Sequence, residues 1–289
     1  MTAPLLETND ARVDVGGAPA LDGLSLRTSG DHLLVLGAAR ALFEAASGVR
    51  KPSRGAVLVR GEAATLTLRK ARVAGAPLDP AMPVAWTPRA YVTWSARLAG
   101  REARLTKELA AESLERLKMT ALGDTPLGKV APHARRATVL AAAIATGAPV
   151  VMVEDPTAGL PDAVAREFAR IITSALADRA WVVFAPRIAL ASPIALEADE
   201  AVVVSGSQPL AQGAPAEIAA RERTYGVKVH GAVEELARAA EARGAKVTRG
   251  QSELTVDLGE SLSTRELMGM ALEVKAVIVE LSPLSSALG

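Results

Sequence analysis

Short apolar runs and amphipathic segments alternate along most of this chain. Apolar runs too brief for a helix predict buried strands, and apolar residues spaced three or four apart predict helices. The predicted strands cover residues 32–36, 56–60, 150–153, 180–185 and 200–205. The predicted helices cover residues 41–46, 101–118, 137–146 and 162–176. This alternation predicts an α/β fold, with a parallel or mixed sheet covered on both faces. Residues 62–82 have no clear period and are predicted to form a loop or an edge strand.

The composition changes at Arg221-Glu222-Arg223, and beyond that point the pattern indicates a smaller, separate unit. Its predicted elements are a strand at 225–230, a helix at 232–243, a hairpin of 245–248 with 253–258, a helix after the capping box 263–266, and a strand at 276–281. The order βαββαβ is that of the ferredoxin-like α+β fold. The sequence therefore predicts two domains, residues 1–222 and residues 223–289.

Composition narrows the classes of protein that the chain can belong to. Apolar residues make up 49% of the chain but aromatic residues only 3%, so alanine, valine and leucine must fill the core. The 33 Lys and Arg residues balance 32 Asp and Glu residues, which leaves no basic field for nucleic acid. The absence of cysteine excludes disulfides and cysteine-based metal or redox chemistry. His32, His133 and His230 are predicted to be structural or surface residues.

Nothing in the sequence predicts insertion into a membrane. The first residues, MTAPLLETNDAR, lack the basic-then-apolar pattern of a signal peptide. The uncharged run from 137 to 153 is short for a bilayer span and is interrupted by Gly147 and Pro149. A buried helix that leads into a buried strand explains this run better. We therefore expect a cytoplasmic protein.

Several segments resemble, in the right order, the nucleotide-binding subunit of an ABC transporter. They are LDGLSLRTSGDHLLVLG (21–37), PSRGAVLVRGE (52–62), TPRAYVTWSARLAG (87–100) and VVVSGSQPLAQGAPAEI (202–218). The tail from 259 to 288 resembles the small carboxy-terminal domain of ATPase subunits that pair with ABC-2-type permeases. The resemblance implies an ABC-type nucleotide-binding domain with a P-loop-NTPase-like fold, followed by the ferredoxin-like domain.

The strand at 150–153 ends in two carboxylates, Glu154 and Asp155. In nucleotide-hydrolysing folds such a strand presents one carboxylate to a magnesium ion and a second to the attacking water. The resemblance implies Asp followed by Glu, and this chain has the reverse order, which displaces each carboxylate by about one methylene. A displacement of about 1 Å costs about a hundredfold in rate. The favoured interpretation is a capped strand end beside the helix that Pro161 and Asp162 begin, rather than a metal site.

The segment after the first predicted strand aligns with the phosphate loop of the family. That loop uses glycine N–H groups to cradle phosphates and a lysine to reach the β and γ phosphates. Here Gly37 is followed by Ala38-Ala39-Arg40-Ala41, and the distance to Gly48 is shorter than in the family. Arg40 could replace the lysine. A solvated arginine in a shortened turn is the favoured interpretation.

Three further positions depart from the family pattern. No glutamine precedes Gln208, so the magnesium-sensing glutamine of the family has no counterpart. Arg187 stands at the position of the switch histidine and cannot accept the hydrogen bond that a neutral histidine accepts. The segment aligned with the signature sequence lacks its serine and both glycines and consists of Val130, Ala131, Pro132, His133 and Ala134.

These departures together favour a pseudo-ATPase, a subunit that keeps the ABC fold without catalytic, cofactor-binding or metal-binding residues. The resemblance implies as partners a membrane permease, a second ATPase-like subunit in a homodimer or heterodimer, or both, at the inner face of the membrane. One alternative is a working ATPase that uses ATP and Mg²⁺ with Arg40, Glu154 and Asp155. Another is a soluble scaffold or regulator detached from any transporter.

Overall fold

A computed structural model describes residues 3–221, 223–250, 253–259 and 262–288. The strands are β1 (Leu6–Val15), β2 (Ala18–Arg27), β3 (His32–Gly37), β4 (Arg54–Val59), β5 (Glu62–Ala63), β6 (Val73–Ala76), β7 (Val150–Glu154), β8 (Ala180–Ala185), β9 (Glu200–Val204), β10 (Pro209–Gly213), β11 (Thr224–His230), β12 (Lys246–Arg249), β13 (Glu253–Asp257) and β14 (Val277–Pro283). The helices are α1 (Ala39–Ala46), α2 (Ala64–Arg69), α3 (Pro88–Leu98), α4 (Thr106–Arg116), α5 (Pro132–Ala145), α6 (Asp162–Ala175), α7 (Pro193–Leu196), α8 (Pro215–Ala219), α9 (Val233–Ala242) and α10 (Thr264–Glu273). Single 3₁₀ turns cover Thr120–Leu122, Leu127–Lys129 and Leu284–Leu288.

The centre of the molecule is a six-stranded sheet with the order β10-β9-β3-β8-β7-β6. All neighbouring strands are parallel except β10, which pairs with β9 in the antiparallel sense. The predicted α/β fold with a mixed sheet is therefore confirmed. Its strands were readable in the sequence because parallel strands buried on both faces are continuous apolar runs.

Alternate residues of the central strands contribute to two separate cores. In β3, Leu34 and Leu36 face the cluster formed with α5 and α6, while Leu33 and Val35 face the cluster formed with α1 and the amino-terminal strands. This is the period of two that places successive side chains on opposite faces of a sheet. Because β3, β7, β8 and β9 are parallel, their carboxyl ends meet at one edge of the sheet, where the candidate site lies.

A second sheet, with the order β2-β1-β4-β5, covers the α1 side of the molecule. The strand predicted at 56–60 belongs to this antiparallel sheet as β4, although the sequence suggested a unit with β3. The loop predicted for 62–82 is wrong at Ala64–Arg69, which form α2, and the edge strand is confirmed as β6. The helix predicted at 101–118 is shorter, because residues 101–105 precede its first turn.

The carboxy-terminal elements follow the predicted order βαββαβ, and their antiparallel sheet has the order β12-β13-β11-β14. Both α9 and α10 contribute to one core with this sheet. The capping box is present: the Ser263 side chain accepts from the Glu266 N–H, and the Glu266 carboxylate accepts from the Ser263 N–H. The structure thus has the predicted ferredoxin-like arrangement.

The 3₁₀ turn Leu284–Leu288 leaves the small sheet and packs into the core of the large one. Leu284, Ala287 and Leu288 are buried in the cluster that contains α5 and α6. The N–H groups of Ile188 and Leu190 donate to the carbonyl oxygens of Ala287 (2.8 Å) and Leu288 (3.0 Å). The division of the chain at residue 222 stays a prediction, and Glu222 itself lies outside the described residues.

None of the helices in the described part of the chain is long and apolar enough to span a bilayer. The surroundings of two of the three histidines agree with the prediction that they are structural or surface residues. His32 stacks on Trp181 with a ring-centroid distance of 4.9 Å, and His230 is exposed on β11.

Candidate functional site

At the position of the phosphate loop, the chain runs directly from a strand into a helix. β3 ends at Gly37 with φ +86°, and α1 begins two residues later, at Ala39. The Gly37 N–H donates to the Pro186 carbonyl oxygen, and the Ala38 N–H donates to the Val204 carbonyl oxygen, both at 3.0 Å. A Cβ on Gly37 would lie 2.4 Å from the Val204 carbonyl oxygen. Glycine is therefore required here by the close approach of β9, and both N–H groups are already bonded to protein.

Arg40 extends from the first turn of α1 over the acidic end of β7. Its side chain is 81% exposed, and its Nε lies 3.5 Å from Glu154 Oε1 and 3.6 Å from Glu44 Oε1. Exposed ion pairs of this kind contribute about 0–1 kcal/mol. Most of the Arg40 side chain is therefore in contact with solvent, and its role stays a prediction.

Glu154 ends β7 with its side chain only 14% exposed. Its Oε2 accepts a hydrogen bond from the Leu78 N–H at 3.1 Å, and its Oε1 faces the Arg40 guanidinium. Leu78 lies in the segment after β6. The carboxylate is thus held between that segment and α1, with a protein partner for each oxygen.

Asp155 begins a tight turn in an uncommon backbone conformation. Its φ is +36°, its N–H donates to the Phe184 carbonyl oxygen at 2.7 Å, and its own carbonyl oxygen accepts from Ala158 N–H at 3.1 Å. Burial raises the pKa of the Asp155 carboxyl above its ordinary 3.8, Arg136 opposes that rise, and the Glu154 carboxylate adds to it. Ionisation of this carboxyl in the folded protein therefore costs free energy, and the neighbouring Arg136 reduces that cost.

Arg136 is a site residue that the sequence analysis missed. It projects from α5, its side chain is 11% exposed, and its Nη1 donates to the carbonyl oxygens of Ala158 (2.6 Å) and Pro156 (3.2 Å). Its Nη2 lies 3.7 Å from Asp79 Oδ2. The guanidinium therefore holds the turn after Asp155. One signal was present: helical spacing places Arg136 on the same face as Val139 and Leu140, which are buried.

The raised pKa of Asp155 makes stability depend on pH in a defined sense. A carboxyl whose pKa is higher in the folded state favours folding below the unfolded value, here 3.8, and loses that contribution as pH rises through the folded value. Asp155→Asn removes the titration, and asparagine tolerates the positive φ. We expect the variant to gain stability relative to wild type as pH rises through this window, as measured by urea unfolding. A difference that is constant with pH would contradict the assignment.

Arg187 lies between β8 and α7 and is exposed. It lines two cavities of about 550 Å³ each. The first also contains Asp155 and the turn through Asp162, and the second contains Gly37 and Ala38. The structure thus gathers the predicted positions at the strand end, the shortened turn and the switch at one edge of the sheet.

The signature positions are not part of that cluster. Val130 and Ala134 are buried, Ala131 and Pro132 are exposed, and His133 is half-buried. The helix α5 begins at Pro132, because proline is accepted in the first turn of a helix, where its missing N–H is not needed. In the described part of the chain, no hydrogen bond or ion pair links these positions to the shortened turn or to the acidic strand end.

Comparison with solved structures identifies the fold of this chain. No model of a protein family matches the chain, and no curated protein sequence matches it. Several solved structures do. CbiO1 from Clostridium perfringens, part of the ABC transporter complex CbiONQ, has 18% identity and a TM-score of 0.64, covering 75% of this chain and 91% of that one.

Two other solved structures extend this likeness. An ATP-binding cassette of an ABC transporter in its ADP conformation has 17% identity and a TM-score of 0.60, covering 74% of this chain and 92% of that one. An ATP-binding subunit of an ABC transporter has 13% identity and a TM-score of 0.59, covering 94% of this chain and 99% of that one. The chain therefore has the fold of an ABC transporter ATP-binding cassette.

Proposed function

We propose that this chain is a non-hydrolysing ABC-type subunit that acts as a structural or regulatory partner of a membrane permease. The observation that carries the first half of this proposal is the passage from β3 into α1. There the N–H groups of Gly37 and Ala38 are bonded to the carbonyl oxygens of Pro186 and Val204. A phosphate bound at this turn would lack those donors and the lysine that reaches the β and γ phosphates.

The acidic strand end supports the same proposal. A magnesium ion bound by Glu154 would share one carboxylate oxygen with the Leu78 N–H and would compete with the Arg40 guanidinium beside the other. The guanidinium of Arg136 brings a further positive charge beside Asp155. The residues present at this edge of the sheet therefore fit Mg²⁺-ATP poorly, and we derive no hydrolytic step from them.

The second half of the proposal rests on a groove of about 470 Å³ beside α3. Its walls come from α2, β6, α3 and α5, and its apolar lining includes Leu68, Tyr91, Leu98 and Val139. Two exposed tryptophans lie outside the groove lining, Trp86 before α3 and Trp94 on it, with a ring-centroid distance of 5.6 Å.

An amphipathic helix presented by a permease is the occupant that we propose for this groove. CbiO1, whose fold this chain shares, is part of a transporter complex. We further propose that the chain lies peripherally at the cytoplasmic face of the membrane. A second ATPase-like subunit, identical or different, would complete the assembly.

Titration with Mg²⁺-ATP tests the nucleotide half of the proposal. We expect no change in melting temperature at millimolar nucleotide, because the N–H groups of Gly37 and Ala38 are bonded to protein and the turn has no lysine to reach the phosphates. Binding at about a hundred times the dissociation constant would add about 2.7 kcal/mol and produce a clear shift. A shift that disappears in Arg40→Ala would establish a rebuilt phosphate site and reject the proposal. Steady hydrolysis that is abolished by Asp155→Asn would do the same.

A pair of matched variants tests the groove. Leu98 and Leu196 are comparably exposed, at 68% and 70%, but only Leu98 lines the groove. We expect Leu98→Glu to abolish co-purification with an integral membrane subunit in detergent, because it places a charge in the apolar contact. Leu196→Glu should leave the complex intact, as judged by mass spectrometry of its subunits. If the wild-type chain is folded but no membrane subunit co-purifies with it, the result supports the soluble-scaffold alternative instead.

A further inference from the structure

A cavity of about 550 Å³, lined by both apolar and charged residues, lies between the edge of the large sheet and the small carboxy-terminal sheet. One wall contains Ala38 and Arg187, and the opposite wall contains Lys228, Glu253 and Glu280. We call it the interdomain cavity. Its volume lies within the range of about 300–1,000 Å³ that is usual for small-molecule sites.

Three charged side chains form a row across the small-sheet wall. The strand register places Lys228 of β11 directly opposite Glu253 on β13 and opposite Glu280 on β14. The charges therefore alternate negative, positive, negative on one face. Among the ion pairs of the described residues, none within 4.0 Å joins these three side chains to one another or to Arg187 in the facing wall.

Glu253 is the most informative member of the row. It is 7% exposed, and within the described part of the chain its carboxylate accepts one long hydrogen bond, 3.4 Å from the Ser207 hydroxyl. A buried carboxylate with so little hydrogen bonding is costly unless a cation or a donor completes its surroundings. Glu253 lines the cavity, so its missing partner can come from there.

We propose that the interdomain cavity binds a small zwitterion of the α-amino acid class. The ligand ammonium lies against Glu253, and the ligand carboxylate lies against the neighbouring Lys228 and against Arg187 in the facing wall. This assignment gives each of these three charges a ligand group of opposite sign, as charge-assisted hydrogen bonding requires. Because one wall belongs to each sheet, the bound ligand ties the small domain to the loop that carries Arg187.

Calorimetric titration of the full-length chain with each standard amino acid tests this site. We expect at least one amino acid to bind, and its amine and carboxylic-acid analogues, which lack one of the two charges, to bind much more weakly. Glu253→Gln and Lys228→Met should each weaken binding by about tenfold or more. Glu235→Gln and Lys246→Met change the same residue types on exposed positions outside the cavity, and they should bind as wild type does.

Each contrary result rejects the site. No binding by any amino acid, equal binding of a singly charged analogue, or unchanged affinity in both cavity variants would overturn it. Glu253→Gln keeps the size of the side chain, and near-ultraviolet circular dichroism checks its fold. If that variant unfolds, Lys228→Met decides the question from an exposed position. The titration uses neither nucleotide nor permease, so its failure leaves the proposed function standing.

Discussion

Replacement of Arg136 by alanine is expected to lower the free energy of unfolding by about 3 kcal/mol at neutral pH. The change removes the two hydrogen bonds to the carbonyl oxygens of Pro156 and Ala158. It also leaves the partly buried Asp155 carboxylate without the guanidinium that offsets its burial. Urea unfolding followed by circular dichroism measures the loss.

Arg135→Ala is the matched control, because Arg135 is the exposed neighbour on the same helix turn. We expect the free energy of unfolding of this variant to stay within about 0.5 kcal/mol of that of the wild type. The cost of Arg136→Ala should shrink as pH falls toward 3.8, since protonation of Asp155 removes the unpaired charge. Equal effects of the two substitutions would show that the buried guanidinium does not hold the turn.

The second large effect is expected at Gly37. An alanine Cβ there would meet the Val204 carbonyl oxygen at 2.4 Å, and φ is +86°, so both the contact and the backbone oppose a side chain. Overpacking costs about 1–3 kcal/mol and a left-handed backbone about 1–2 kcal/mol. We expect Gly37→Ala to lose about 3 kcal/mol or to fail to accumulate as folded protein.

Gly159→Ala separates these two contributions. Gly159 also has a positive φ, +63°, but nothing lies within 4 Å of the position that its Cβ would occupy. Its substitution should therefore cost only the conformational part, about 1–2 kcal/mol. If both glycine variants lose the same free energy in urea unfolding, the close approach of β9 to the shortened turn contributes nothing.

The central strands and the small domain could be predicted because their signals are local. The run Leu33–Leu36 is apolar at every position, and it is buried on both faces. The capping box at Ser263 fixes the start of a helix within four residues of sequence. By contrast, β1 is interrupted by register shifts against β2, which break its alternation, and α2 lacks a side-chain cap. Short or irregular elements depend on packing that the sequence does not display.

The candidate site likewise has a part that the sequence predicts and a part that it does not. Gly37, Glu154, Asp155 and Arg187 lie at or just after the carboxyl ends of parallel strands in one sheet, so their meeting at one edge follows from topology alone. The role of Arg136 depends instead on carbonyl oxygens about twenty residues further along the chain, which have no side-chain signature. Whether the edge of the sheet retains any nucleotide binding stays a prediction, to be decided by the titration with Mg²⁺-ATP.

The return of Leu284–Leu288 to the core of the large sheet has a consequence for biosynthesis. Domains generally fold as units during translation, the amino-terminal one first. Here the cluster around α5 and α6 includes Leu284, Ala287 and Leu288, which the ribosome adds only after the whole small domain. Until these residues are synthesised, part of the apolar surface of the nascent large domain stays uncovered. The large domain therefore completes its core only after the small domain has been synthesised.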